Sequence, residues 1–257
     1  MQSYHAQIRP LSAFATPLKG DTLFGQVCWA IRNRFGENSL GELLQGYAEN
    51  KPFLVVSDAF PKGYLPLPKL PSTHYDLLED ADRKAIKKLQ WLPEEKIETP
   101  VRSWLHYAVN NKTIATAVTE GTAPVPRTSS YTLSEMHPQP HNTINRYTNT
   151  TGEGGFAPYS VKQEWFVPGL CWSLYLALDS ARLNAEDCEQ CLKDVGLFGY
   201  GKDASIGLGK FEVMGFQPYP LPRQANANAC LTLAPCAPQG LGFDGECSYY
   251  QPLYWFR

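Results

Sequence analysis

Residues 185–216 read AEDCEQCLKDVGLFGYGKDASIGLGKFEVMGF. Cys188, Cys191, Leu192, Val195 and Leu197 recur at helical spacing, which predicts an amphipathic helix over Ala185 to Leu197. A loop carrying Gly199, Gly201, Gly207 and Gly209 follows, and then a β-favouring run that continues as a strand to Phe216. Immediately upstream, EWFVPGLCWSLYLAL at 164–178 predicts a long strand with a bend or bulge at Pro168-Gly169. This part of the chain therefore reads strand, helix, strand.

The beginning of the chain repeats that order. His5 to Ala15 predicts a strand, and Pro17, Lys19, Gly20 and Asp21 a turn in which Asp21 or Thr22 caps the next element. Leu23, Phe24, Val27, Ala30, Ile31 and Phe35 fall on one helical face, and Gly36 supplies the stop. The run FLVVSDAF at 53–60 predicts the next strand. Two such units imply an α+β, ferredoxin-like (RRM-like, split βαβ) fold, with four antiparallel strands and two helices on one face.

A large insertion, about residues 62–160, separates the second strand from the third. Within it, Asp76 to Leu92 reads as an amphipathic helix with acids early and bases late, and 99–160 as irregular and turn-rich. Pro218, Pro220 and Pro222 read as a linker, with a further strand starting in Asn228 to Pro235. The expected layout is a domain at 1–222, insertion included, and part of a second ferredoxin-like unit at 223–257.

The 257 residues carry 23 Lys+Arg against 25 Asp+Glu, a formal charge of −2, so the overall field does not attract a polyanion and any such partner must be held by a local patch. Twenty glycines and 21 prolines suggest a loop-rich globular chain, short of the composition of disorder. The seven cysteines are scattered and odd in number, unlike a secreted disulfide framework, and the N-terminus lacks a basic segment followed by an apolar one. No run is long and apolar enough to span a membrane. These features lead us to expect a cytoplasmic protein without a membrane partner.

Gly199 to Lys210 is the richest chemical signal. Its glycines let successive N–H groups form an anion-binding nest, while Lys202, Ser205 and Lys210 add donors suited to phosphate. The loop follows a helix and lacks the spacing of a nucleotide-binding P-loop, so it is equally readable as a tight helix-to-strand connection. In the insertion, His141, Asn142, Asn145 and Arg146, with Tyr147 and Thr148, offer the amides, guanidinium and ring that suit single-stranded RNA, though many polar surface loops share that composition. Cys188 and Cys191 share one helical face and read as core packing, and no set of residues has metal-ligand spacing, so neither metal nor cofactor is expected.

Asp21-Thr22-Leu23-Phe24-Gly25 with Cys28-Trp29-Ala30, then Ser57-Asp58-Ala59-Phe60-Pro61, then HNTINR at 141–146 continuing into TTGEGGFAPY, and GKDASIGLGKFEV at 201–213, together resemble the fourth Csm subunits of type III-A CRISPR effector complexes. These belong to the RAMP superfamily, in the group that holds the guide RNA 5′ end. The resemblance implies a non-catalytic subunit that grips the repeat-derived 5′ handle, contacts the large polymerase-like subunit and adjoins a backbone RAMP subunit, which carries the target-cleaving aspartate. It implies that Gly199, Gly201, Lys202, Ser205, Gly207, Gly209 and Lys210 cradle handle phosphates beside Lys19, Asp21 and Thr22 at a helix start. His141, Asn142, Asn145 and Arg146 would sit on a thumb-like hairpin crossing the guide. Members of this group have a second ferredoxin-like domain, of which 223–257 would be a part.

Two other function classes remain open at this level. A metal-independent endoribonuclease that processes the guide on the same fold would use His5 or His141 as acid–base, with Asp21 and Asp58 as candidate acids, although His5, His74, His106, His137 and His141 form no recognisable catalytic spacing. A protein scaffold that touches no RNA is the third.

Overall fold

The computed structural model describes residues 1–76, 82–120, 132–152, 156–227, 229–236, 244 and 246–249. Its centre is an antiparallel sheet of β1 (Gln2–Pro10), β2 (Leu54–Val56), β8 (Trp172–Leu178) and β9 (Phe211–Pro218), in the order β2-β8-β1-β9, with β3 (Phe60–Pro61) also paired to β8. Alternation along β1 and β8 sends Tyr4, Ala6, Ile8, Leu174, Leu176 and Leu178 to one face. There they meet α1 (Gly20–Phe35) through Leu23, Val27, Ala30 and Ile31, and α6 (Ala185–Phe198) through Cys188, Cys191, Leu192 and Val195. Both stripes follow the i, i+3, i+4 spacing of a helix that buries one side. Arg34 of α1 grips Asp194 of α6 at 2.9 and 2.7 Å, crossing between the two helices. Burial pushes the thiols of Cys188 and Cys191 up to about 12. They are packing residues, as their shared helical face implies.

The sequence expectation of a mixed fold on an antiparallel sheet agrees with this architecture, and several local readings change. The run at 164–178 is two strands rather than one bent strand. β7 (Tyr159–Phe166) pairs with β6 (Ser134–His141) in a separate hairpin, and Pro168-Gly169 lies in the turn leading to β8. Residues 53–60 are likewise split by Ser57-Asp58-Ala59 into β2 and β3.

The helix expected over Asp76 to Leu92 is not formed in its described part. Only Arg83–Ile86 makes a turn of helix, α3, capped by Asp82, whose carboxylate accepts the Lys84 N–H at 2.8 Å. Beyond it, Leu92 is fully buried opposite Leu65, pairing β5 (Trp91–Pro93) with β4 (Tyr64–Pro66). Burial of Leu92 in that small sheet outweighs continuation of a helix with three solvated lysines. Residues 77–81 lie outside the described residues.

The segment read as irregular also contains α4 (Trp104–Tyr107) and α5 (Asn111–Glu120). After β9 the expected linker packs rather than hangs free. The Tyr219 N–H is donated to Ser3 O, and Tyr219 and Leu221 cover the sheet face opposite the helices, with Phe60, Leu65 and Tyr175. The strand expected from Asn228 is not formed in 229–236, where the Leu233 carbonyl accepts one N–H, from Asp58. Asn228 and most of the expected second unit lie outside the described residues. α2 (Glu37–Leu44) completes the helical layer, its last carbonyls gathered by Arg182, whose guanidinium donates to Glu42 O, Leu43 O and Gln45 O.

Candidate nucleic-acid interface

The loop after α6 folds back onto the loop between β1 and α1. Tyr200 is fully buried at the joint, and its hydroxyl donates to Pro17 O at 2.7 Å and accepts the Lys19 N–H at 3.2 Å. Burial pushes that hydroxyl up to about 12. The Gly209 N–H is donated to Ala13 O, Lys202 N–H to Thr16 Oγ1 at 2.8 Å, and Lys210 N–H to Ser12 Oγ at 2.9 Å. The two loops are therefore one built unit. It carries Lys19 with Gly199, Gly201, Lys202, Ser205, Gly207, Gly209 and Lys210, all expected from sequence.

The chemistry of this unit is divided. The N–H groups of Tyr200, Lys202, Ile206, Gly207, Leu208, Gly209 and Lys210 are spent on protein acceptors. Those of Gly201, Asp203, Ala204 and Ser205 have no acceptor among the described residues. The stretch whose amides are left available is thus short, and it centres on Asp203 in the left-handed region at φ 62°. The Lys202 side chain is exposed, with its Nζ 4.0 Å from Asp203. Lys210 bends back to donate to Leu197 O at 3.2 Å, at the C-terminal end of α6.

At the start of α1, Lys19 is the N-cap and offers no side-chain bond. Asp58, reaching over from the segment between β2 and β3, accepts the Gly20 N–H at 2.8 Å and the Lys19 ammonium at 2.7 Å. Asp21 accepts the Thr22 N–H at 2.6 Å from inside the first turn. The capping expected of Asp21 or Thr22 thus falls largely to Asp58. A carboxylate suits this position because it compensates both the helix dipole and an otherwise unpaired amide. Tyr200 and Asp58 were not assigned these positioning roles from sequence. An aromatic residue between two glycines, Gly199-Tyr200-Gly201, was the available signal for the first.

The insertion residues lie elsewhere. β7 is tied to the β1–α1 loop by mutual backbone bonds between Phe14 and Glu164. His141 pairs with Tyr159, about 17 Å further along the strand. His141, Asn142, Asn145 and Arg146 therefore occupy the far end of an extended hairpin, away from the glycine loop. Asn145 organises the tip: its side chain accepts the Tyr147 N–H at 2.9 Å, and its backbone pairs with Thr150. Tyr147 is left 100 % exposed. Residues 153–155 of the adjoining motif lie outside the described residues.

His5 sits on the other face of the sheet. Its Nε2 is 2.9 Å from Ser173 Oγ, and the rings of Tyr175 and Tyr219 flank it at 5.3 and 5.7 Å. Glu94 approaches from the insertion and accepts the Tyr219 hydroxyl. Burial lowers the His5 pKa from 6.5, partly opposed by Glu94 and helped by Lys62. The native state thus holds His5 neutral, while the unfolded chain takes up a proton once pH drops below about 6.5. Stability is expected to fall as pH descends through 6.5 toward the lowered native value. Urea unfolding at pH 7.5 and 5.5 should show a larger loss for the native sequence than for His5→Phe, and equal losses would contradict this account. His5 and His141 belong to different elements, and no group of three or more metal-ligating side chains occurs among the described residues. No helix there is long and apolar enough to cross a membrane.

No protein-family model and no curated protein matches the sequence. Among solved structures, a chain of the Csm3-Csm4 subcomplex in the type III-A CRISPR-Cas interference complex matches with a TM-score of 0.52 at 14% identity, covering 86% of this chain and 70% of that one. This chain therefore shares its overall fold with a chain of that subcomplex. A Csm1-Csm4 cassette in complex with pppApA matches at a TM-score of 0.44 and 16% identity, over 88% of this chain and 73% of that one. A type III-B Cmr-beta complex bound to cognate target RNA matches at 0.43 and 11%, over 84% and 60%.

Proposed function

We propose that this protein is a non-catalytic, RNA-binding subunit of a type III-A CRISPR interference complex that holds the 5′ handle of the guide RNA. The observation that carries the reading is the built joint between the glycine-rich loop and the β1–α1 loop. It presents the unpaired amides of Gly201, Asp203, Ala204 and Ser205 beside the exposed Lys202, a local anion site on a chain whose overall charge is −2. The fold shared with a Csm3-Csm4 chain supports it. The sheet order β2-β8-β1-β9, with α1 and α6 on one face, supports the ferredoxin-like reading. In this proposal the large polymerase-like subunit and an adjacent backbone RAMP subunit are the protein partners, and the protein works in the prokaryotic cytoplasm without metal or cofactor.

The test is a filter-binding titration with handle RNA over a range of salt concentrations. Lys202→Ala, Lys210→Ala and Arg146→Ala are each expected to weaken binding and to reduce the salt slope by about one. Unchanged affinity in all three would contradict the reading.

A further inference from the structure

The sheet face opposite the helices is closed by a short crossing segment. β9 ends at Pro218, and residues 219–222 then pack Tyr219 against His5 and Tyr175. Pro220 and Pro222 have no amide proton to donate. Among the described residues the backbone of this segment makes one hydrogen bond, from the Tyr219 N–H to Ser3 O at 2.9 Å, and the next backbone tie to the body is Leu233 O, which accepts the Asp58 N–H. Side chains supply the rest of the hold. The Tyr219 hydroxyl donates to Glu94, in the turn after β5, and its ring lies 5.7 Å from His5 and 5.6 Å from Tyr175. Leu221 joins the small cluster of Phe60, Leu65 and Tyr175. The segment is thus fastened at its start by one amide and one hydroxyl, over a half-buried histidine.

We infer that residues 219–222 form a hinged strap, latched by Tyr219 on Glu94, that lifts from the sheet when His5 takes up a proton. Beneath the closed strap His5 is kept neutral by burial, which lowers its pKa from 6.5. Water reaches the ring once the strap lifts, and the affinity for a proton returns toward its ordinary value. The lifted state therefore binds more protons, and the balance moves toward it as pH falls through 6.5. Two charged groups face the ring. Glu94 favours the proton and offsets part of the effect, while Lys62, in the turn between β3 and β4, opposes the proton and adds to it. The other titratable groups here, Tyr175 on β8 and Tyr219 on the strap, keep their protons throughout, since burial pushes both up, Tyr219 to about 12. Hydrating His5 by any other route means parting β1 from β8 or β9, each joined to it along most of its length. Lifting the strap breaks a single backbone bond, so local opening is the cheaper response. The inference is independent of the RNA-binding reading.

The test is amide hydrogen exchange on the whole chain, read at the Tyr219 N–H and at the hydrogen-bonded amides of β8, at pH 7.5 and 5.5, with each rate corrected for intrinsic exchange at that pH. The Tyr219 N–H should open far more often than the β8 amides at both pH values. Its opening constant should rise by up to about tenfold at pH 5.5, the ceiling set by one unit below 6.5. His5→Phe keeps a ring against Tyr219 and Tyr175 and should remove that rise. Tyr219→Phe keeps the ring packing but loses the Glu94 contact, so it should open more at both pH values and retain the rise. Equal protection of Tyr219 and β8 overturns the strap, because the segment then lifts only when the whole chain unfolds. An opening constant that does not change with pH overturns the role of His5, and so does a rise that persists in His5→Phe. Unchanged opening in Tyr219→Phe overturns the latch.

Discussion

Gly209→Ala is expected to destabilise the protein by about 3 kcal/mol, with urea denaturation as the measurement. Gly209 has φ +70°, and a Cβ there would lie 2.1 Å from Tyr200 O and 2.6 Å from Tyr200 N. Those are backbone atoms of the residue that locks the two loops together, so they cannot yield without moving the Tyr200 hydroxyl off Pro17 and Lys19. Gly207→Ala in the same loop is the control. Its φ of +99° is also left-handed, but a Cβ would meet nothing within 4 Å, so the cost should be about 1 kcal/mol. Similar losses for the two variants would contradict the claim that Gly209 is required by close packing. RNA affinity should fall in Gly209→Ala even at temperatures where it remains folded, because the unpaired amides are positioned by that joint.

Asp58→Ala is expected to cost about 2 kcal/mol, since it strands the first amide of α1 and removes the carboxylate facing the helix dipole. The loss is not a measure of the ion pair, because the Lys19 side chain is 31% exposed and turns to solvent when its partner goes. Asp58→Asn keeps an acceptor for the Gly20 N–H and should cost about half as much. Its second effect separates stability from function. Removing one negative charge and freeing the Lys19 ammonium beside the glycine-rich loop should raise affinity for RNA while stability falls, with a steeper salt dependence. Equal falls in both properties would show that Asp58 supports the site only through folding.

The central elements were legible because their burial imposes a period. β1, α1, α6 and β9 each present one face to a shared core, and their apolar residues recur accordingly. The hairpin carries no such imprint. SEMHPQPH contains Pro138 and Pro140 and is exposed along most of its length. It pairs on one side only, with β7, so alternate prolines leave the ladder intact and no core selects alternating apolar residues. β7 and β8 look like one strand in the sequence because both are aromatic-rich and only the turn at Pro168-Gly169 separates them. α5 was missed because NKTIATAVTE is rich in β-branched residues, although Asn110 offered a cap signal: its side chain accepts the Thr113 N–H at 3.0 Å. At the candidate site, the glycine-rich loop stands out in the sequence as a candidate phosphate cradle, while Lys19 enters only through the family resemblance. Their junction through Tyr200, Thr16 and Asp58 is not legible, because those contacts join residues 38 to 186 positions apart and leave no local pattern.

A gel-shift titration of the protein in EDTA, with guide RNA bearing the repeat-derived 5′ handle and with the same RNA lacking it, tests the central claim most directly. The account predicts a shifted, full-length RNA, held more tightly when the handle is present. Equal affinity for the two RNAs would contradict it, as would a shortened product that disappears in His5→Ala or His141→Ala.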